Sequence, residues 1–100
     1  MENKKYTQFL TDEDKLSISF IQSRGKIISF SVNYSARIKN RWRYVMRIDN
    51  CHGYPHQHTY YLHRRQYRVV LGNDTNTTFT EAKHHIIKNF QKIKENFLAN

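Results

Sequence analysis

The sequence predicts an α+β fold: an antiparallel sheet of four or five strands with one face covered by a C-terminal helix. Three observations carry this prediction. Side chains alternate between apolar and polar over residues 16–71, turn-forming residues punctuate that stretch, and the spacing becomes helical near the C-terminus. One hundred residues support a single core, so 1–100 reads as one domain. It divides into a polar segment over 1–15, the sheet over 16–71 and a helix over 78–98.

The polar segment ends in Asp12-Glu13-Asp14, which reads as a turn or a helix start. Leu16, Ile18 and Phe20 then alternate with Ser17 and Ser19, and Ile28, Phe30, Val32 and Tyr34 alternate with Ser29, Ser31 and Asn33. Ser23-Arg24-Gly25-Lys26 between the two runs is a hairpin turn, with Gly25 able to take the positive φ that such turns need. Over Arg41 to Asp49, the alternation puts Trp42, Tyr44, Met46 and Ile48 on one face, expected to be core, and Arg41, Arg43 and Arg47 on the other. Asn50 to His58 holds Gly53 and the single proline, Pro55, and is expected to be a loop. Thr59–Leu62 and Tyr67–Leu71 are strand-like, as one bent strand or two, before the turn cluster Gly72-Asn73-Asp74-Thr75-Asn76. Thr78-Phe79-Thr80-Glu81 fits a capping box, and Ala82, Ile86, Phe90, Ile93 and Phe97 follow at helical spacing.

Charge narrows the partners. Lys and Arg number 17 against 8 acids, and Glu2, Asp12, Glu13 and Asp14 crowd into the first fifteen residues. The remaining chain is therefore strongly cationic, a field that attracts polyanions and weakens with salt. One cysteine, Cys51, excludes an intrachain disulfide. With neither a secretory signal nor a long apolar run, the chain is expected in the cytoplasm and away from membranes.

Two clusters carry chemistry. Arg37, Lys39, Arg41, Arg43 and Arg47 fall close together, interleaved with Trp42 and Tyr44. Guanidinium groups grip phosphate bidentately, so this stripe, with Arg64 and Arg65, is expected to hold an RNA backbone. The second cluster runs through Cys51, His52, His56 and His58 to His63. Imidazoles titrate near neutrality and can serve as general base and general acid. In RNA cleavage one deprotonates the 2′-hydroxyl, the other protonates the leaving 5′-oxygen, and an arginine steadies the phosphate. That route needs no metal and no cofactor, and it leaves a 2′,3′-cyclic phosphate. Two alternatives stand beside it: Cys51, His52, His56 and His58 as a zinc set, and a loop whose histidines only bind phosphate or cap backbone. His84 and His85 read as surface residues of the helix.

The strand end Arg47-Ile48-Asp49-Asn50, followed by a glycine- and proline-bearing loop with Pro55-His56-Gln57-His58, resembles the TumE-like family of small toxins from prokaryotic toxin–antitoxin operons. The resemblance spans about residues 16 to 98 and singles out Asp49, Asn50, His56 and His58. It implies a toxin neutralised by a cognate antitoxin encoded beside it, often a helix-turn-helix protein. This chain departs from the pattern in His52 and in Tyr54, Tyr60 and Tyr61. Together the readings predict the toxin of a toxin–antitoxin pair, acting as a metal-independent ribonuclease. His56 and His58 are its acid–base pair and His52 a reserve. The alternative is a non-enzymatic basic protein of a phage or plasmid that binds nucleic acid or blocks a host ribonucleoprotein.

Overall fold

The protein is described here by a computed structural model covering every residue except His52 and Asn73. Six strands form one antiparallel sheet: β1 (Glu2–Thr11), β2 (Asp14–Ser23), β3 (Lys26–Ile38), β4 (Arg41–Asp49), β5 (His56–Thr59) and β6 (Tyr67–Val70). They lie in chain order, each paired with the next, and the helix α1 (Thr75–Ala99) packs on one face. The α+β class and the covering helix stand as the sequence predicts, with six strands instead of four or five.

One strand, β1, lies outside the expected sheet, and β5 replaces the expected Thr59–Leu62 strand at an earlier position, each for a physical reason. β1 is an edge strand beyond the cover of the helix, and all its residues but Leu10 are exposed. With nothing to bury, it carries no apolar stripe and reads as polar coil. β5 begins at His56, inside the expected loop, because its partners on β4 and β6 supply the ladder without demanding apolar side chains. Two tight hairpins behave as chain chemistry dictates. Arg24 and Gly25 (φ 53° and 75°) turn β2 into β3, and Lys39 and Asn40 (φ 52° and 65°) turn β3 into β4.

The core lies between sheet and helix. Leu16, Ile18, Phe30, Val32, Tyr34, Ala36, Met46 and Ile48 meet Phe79, Ala82, Ile86 and Phe97, with Phe90 and Ile93 packed at the margin. Burying each large side chain here stabilises the fold by roughly 1.5–3 kcal/mol. The helix starts earlier than the capping-box reading placed it. Asp74 is the N-cap, its carboxylate accepting from the Thr77 N–H (3.0 Å) and the Thr77 hydroxyl (2.8 Å). At the other end, the N–H groups of Leu62 and His63 donate to the carbonyls of Phe97 and Asn100, each at 3.1 Å.

One irregularity decides the geometry of the candidate site. Met46 pairs with Tyr34, yet Tyr44 pairs with Ser35, so Val45 is an extra residue in β4. Val45 and Met46 are both buried, and everything N-terminal to them in the strand is flipped. Trp42 and Tyr44, expected in the core, therefore stand on the open face, 38% and 64% exposed. Arg41 and Arg43 pair with Ile38 and Ala36, on the helix side, while Arg47 pairs with Asn33 on the open side. The expected arginine stripe is split in two.

Candidate nucleic-acid interface

The open face is built row by row from cross-strand partners. One row runs Thr7, Ser17, Asn33, Arg47, His58, Arg68, and the next runs Lys5, Ser19, Ser31, Asp49, His56, Val70. A third holds Phe9, Lys15, Ser35 and Tyr44, with Arg37 and Trp42 beyond it. The floor is thus mostly hydroxyl and amide, pre-set in part by the Asn33 amide donating to the Ser31 hydroxyl (2.9 Å). Shallow hollows over this floor are lined by Lys5, Ser17, Ser19 and Asn33, and by Ser31, Arg47, Asp49 and Cys51.

Asp49 is the one carboxylate that these rows place on the open face, and it is only 1% exposed. The Cys51 N–H donates to its Oδ1 at 3.0 Å, and Arg47 Nε lies 2.7 Å and His58 Nε2 3.6 Å from its Oδ2. The Arg47 contact is a close charge pair, not an aligned hydrogen bond. Burial pushes the Asp49 carboxyl up. The Cys51 N–H and thiol, then the charges of Arg47 and His58, outweigh that and hold it below the usual carboxylate range. The same contact raises the Cys51 thiol, because its proton is held by the carboxylate, and burial and the Asp49 charge add to the effect. Cys51 is accordingly a poor thiolate nucleophile. Burial likewise raises Tyr60, opposed by Arg47 and assisted by Asp49 and Tyr44.

The histidines are not equivalent. His56 sits on β5, not in a loop, and is 3% exposed beneath Tyr54, with ring centroids 4.5 Å apart. At that burial the ring offers almost no surface to a bound phosphate. His58 is more open. Its Nδ1 faces Gln66 Oε1 at 3.3 Å, its Nε2 faces Asp49, and its ring stacks on Tyr60. His52 lies outside the described residues. Asn50, singled out with Asp49 by the sequence, is structural: its side chain accepts from the Phe30 N–H (2.9 Å) and donates to the Ile28 carbonyl (3.1 Å), prolonging the β3–β4 ladder. Among the described residues, no three His, Cys, Asp or Glu side chains gather in a way that could hold a metal ion.

Of the expected phosphate contacts, Arg37 and Arg47 are on the open face and Lys39 is in the β3–β4 turn. Arg41 and Arg43 point to the helix side. Arg64 donates to the Asn100 side chain (3.1 Å) and lies over Tyr61, at the helix C-terminus where a cation offsets the helix dipole. Arg65 is exposed in the same connection. The sequence reading missed Lys5, Lys15, Arg68 and Phe9, which the meander brings onto the open face. For Lys5 and Phe9 the signal was present as the alternation Lys5, Thr7, Phe9, but it fell in a segment without apolar periodicity.

Fold and face together define an open-faced antiparallel sheet, backed by one helix and fronted by cations and exposed aromatic rings. Over residues 1–100 the chain matches, and belongs to, the family described as a domain of unknown function, DUF7718. No curated protein matches the chain, and no solved structure matches it. No helix among the described residues is long and apolar enough to cross a membrane.

Proposed function

We propose that the protein binds RNA across the open face of its sheet. The observation that carries this reading is the charge distribution on that face. Lys5, Lys15, Arg37, Arg47 and Arg68 stand on it, while Asp49 is buried and already paired. Five cations against one buried carboxylate, which Arg47 pairs, leave a positive surface over a hydroxyl floor that favours phosphate, and guanidinium groups add bidentate contacts. Fluorescence anisotropy with a labelled RNA, repeated over a salt series, tests it. Binding is expected to weaken steeply with salt, and Lys5→Gln with Arg68→Gln is expected to lower the slope of log K against log salt by about 1.5. A salt-independent signal, or a double variant that binds like the parent, would refute the assignment of this face.

Cleavage is the second reading, favoured by one contact: His58 Nε2 beside the Asp49 carboxylate, with Arg47 in the same cluster. Asp49 would orient the His58 imidazole through Nε2, and Arg47 would hold the phosphate. Nδ1 would turn from Gln66 to take the proton of a 2′-hydroxyl and return it to the leaving 5′-oxygen as the 2′-oxygen bonds to phosphorus. In this reading the protein is the ribonucleolytic toxin of a toxin–antitoxin pair, and an acidic antitoxin segment covers the open face. Incubation with end-labelled RNA separates the readings. Fragments ending in cyclic phosphate, lost in His58→Gln, support cleavage; an intact shifted band leaves the binding protein.

A further inference from the structure

We infer that the RNA taken up by this face is single-stranded, its unpaired bases stacking on a ledge formed by Trp42 and Tyr44 beside the phosphate-binding cations. The inference rests on the RNA-binding reading above and specifies its ligand. It starts from an anomaly. Phe9, Trp42 and Tyr44 are 61%, 38% and 64% exposed, three large aromatic side chains held out of a core that the regular β4 alternation would have let two of them enter. The bulge at Val45 is what keeps Trp42 and Tyr44 outside. An anion-binding surface for a duplex has no use for them, since paired bases present edges and not faces.

The ledge is also organised. Phe9 meets Trp42 edge to face at 6.2 Å, and Lys15 Nζ lies 4.1 Å from the Trp42 ring centroid. Tyr44 leans against Tyr60 with centroids 6.2 Å apart, and Tyr60 stacks on His58, which adjoins the Arg47–Asp49 pair. A run of rings is thus flanked by cations, Lys15 at the Trp42 end and Arg47 at the His58 end. This is the arrangement by which open sheets take single strands: stacking for the bases and positive charge for the backbone. Because every base offers a π-face, this ledge is expected to tolerate sequence.

The test compares a mixed-sequence 12-nucleotide RNA, free and annealed to its complement, on the full chain. The single strand is expected to bind at least about ten-fold more tightly. Tyr44→Ala is expected to weaken single-strand binding by roughly 5- to 100-fold, leave duplex binding unchanged, and be rescued by Tyr44→Phe. Trp42, the sole tryptophan, is expected to change its fluorescence when the single strand binds. Equal affinity for strand and duplex, or an unaltered Tyr44→Ala variant, overturns this inference and leaves RNA binding standing. Failure of both RNAs to bind overturns the binding reading itself. Circular dichroism of Tyr44→Ala guards against a folding artefact, and the exposed position makes one unexpected.

Discussion

Two aspartates lie nearly buried on opposite faces of the same sheet, and their difference separates structure from function. Asp14 is on the helix side. It accepts from the Tyr34 hydroxyl (2.6 Å) and from Thr11, and Lys94 of α1 lies 3.4 Å away. Burial raises its carboxyl, but the Thr11 and Tyr34 hydrogen bonds and the Lys94 charge outweigh it, leaving a net depression. Burial and the same carboxylate drive the Tyr34 hydroxyl far above its ordinary value. Asp49, on the open side, is also depressed, yet its partners Arg47 and His58 keep an edge toward solvent. Asp14 clamps β2, β3 and the helix together; Asp49 holds groups that a ligand can still reach. Burial and a perturbed carboxyl therefore mark both sites equally, and one partner tells them apart: the fully buried Tyr34 ring on the helix side, the 39% exposed Arg47 on the open side.

The largest expected effect falls on the clamp. Tyr34→Ala removes a fully buried ring and one of the hydrogen bonds that the Asp14 carboxylate accepts, an expected loss of about 3–5 kcal/mol in urea unfolding. Asp49→Ala frees Arg47 toward water, which cushions the loss, so about 1–3 kcal/mol is expected in the same measurement. The contrast breaks if Asp49→Ala proves the costlier change.

Acid sharpens the comparison further. Both carboxyls titrate lower in the folded chain than in the unfolded one. Their stabilisation is therefore complete above the ordinary carboxylate value of about 3.9 and is lost as pH falls through the depressed folded values. Thermal unfolding from neutral pH downward is expected to show a falling Tm at the acid end. Asp14→Asn and Asp49→Asn are each expected to flatten that fall. A double variant with the parent's acid profile would show that neither carboxylate supplies it. The smallest stability effect is expected at the ledge, where Tyr44→Ala changes urea stability by no more than about 0.5 kcal/mol while impairing RNA binding.

The legible and illegible parts of the chain divide along burial. The β2–β3 hairpin reads correctly because Leu16, Ile18, Phe30 and Val32 must all reach one core, and the turn at Arg24-Gly25 agrees with them. The helix stripe from Ala82 to Phe97 reads correctly for the same reason. The capping box misleads because Asp74 caps the helix a turn earlier, and the Thr78 N–H already donates to the Asp74 carbonyl as part of the helix. Within the candidate site, Arg37, Arg47, Asp49 and His58 all lie on the open face, His58 on a strand and not in the expected loop. Arg41, Arg43 and Arg64 do not, and His56 is on the right face but beneath Tyr54.

The sequence alone determined a basic α+β domain with a helix-covered sheet, because hydrophobic periodicity is a local consequence of which side chains must leave water. Only the tertiary structure decided which arginines and aromatic rings share the open face. That choice turns on one extra residue, Val45, whose insertion reverses the sidedness of the strand before it while leaving the apolar pattern of the sequence almost unchanged.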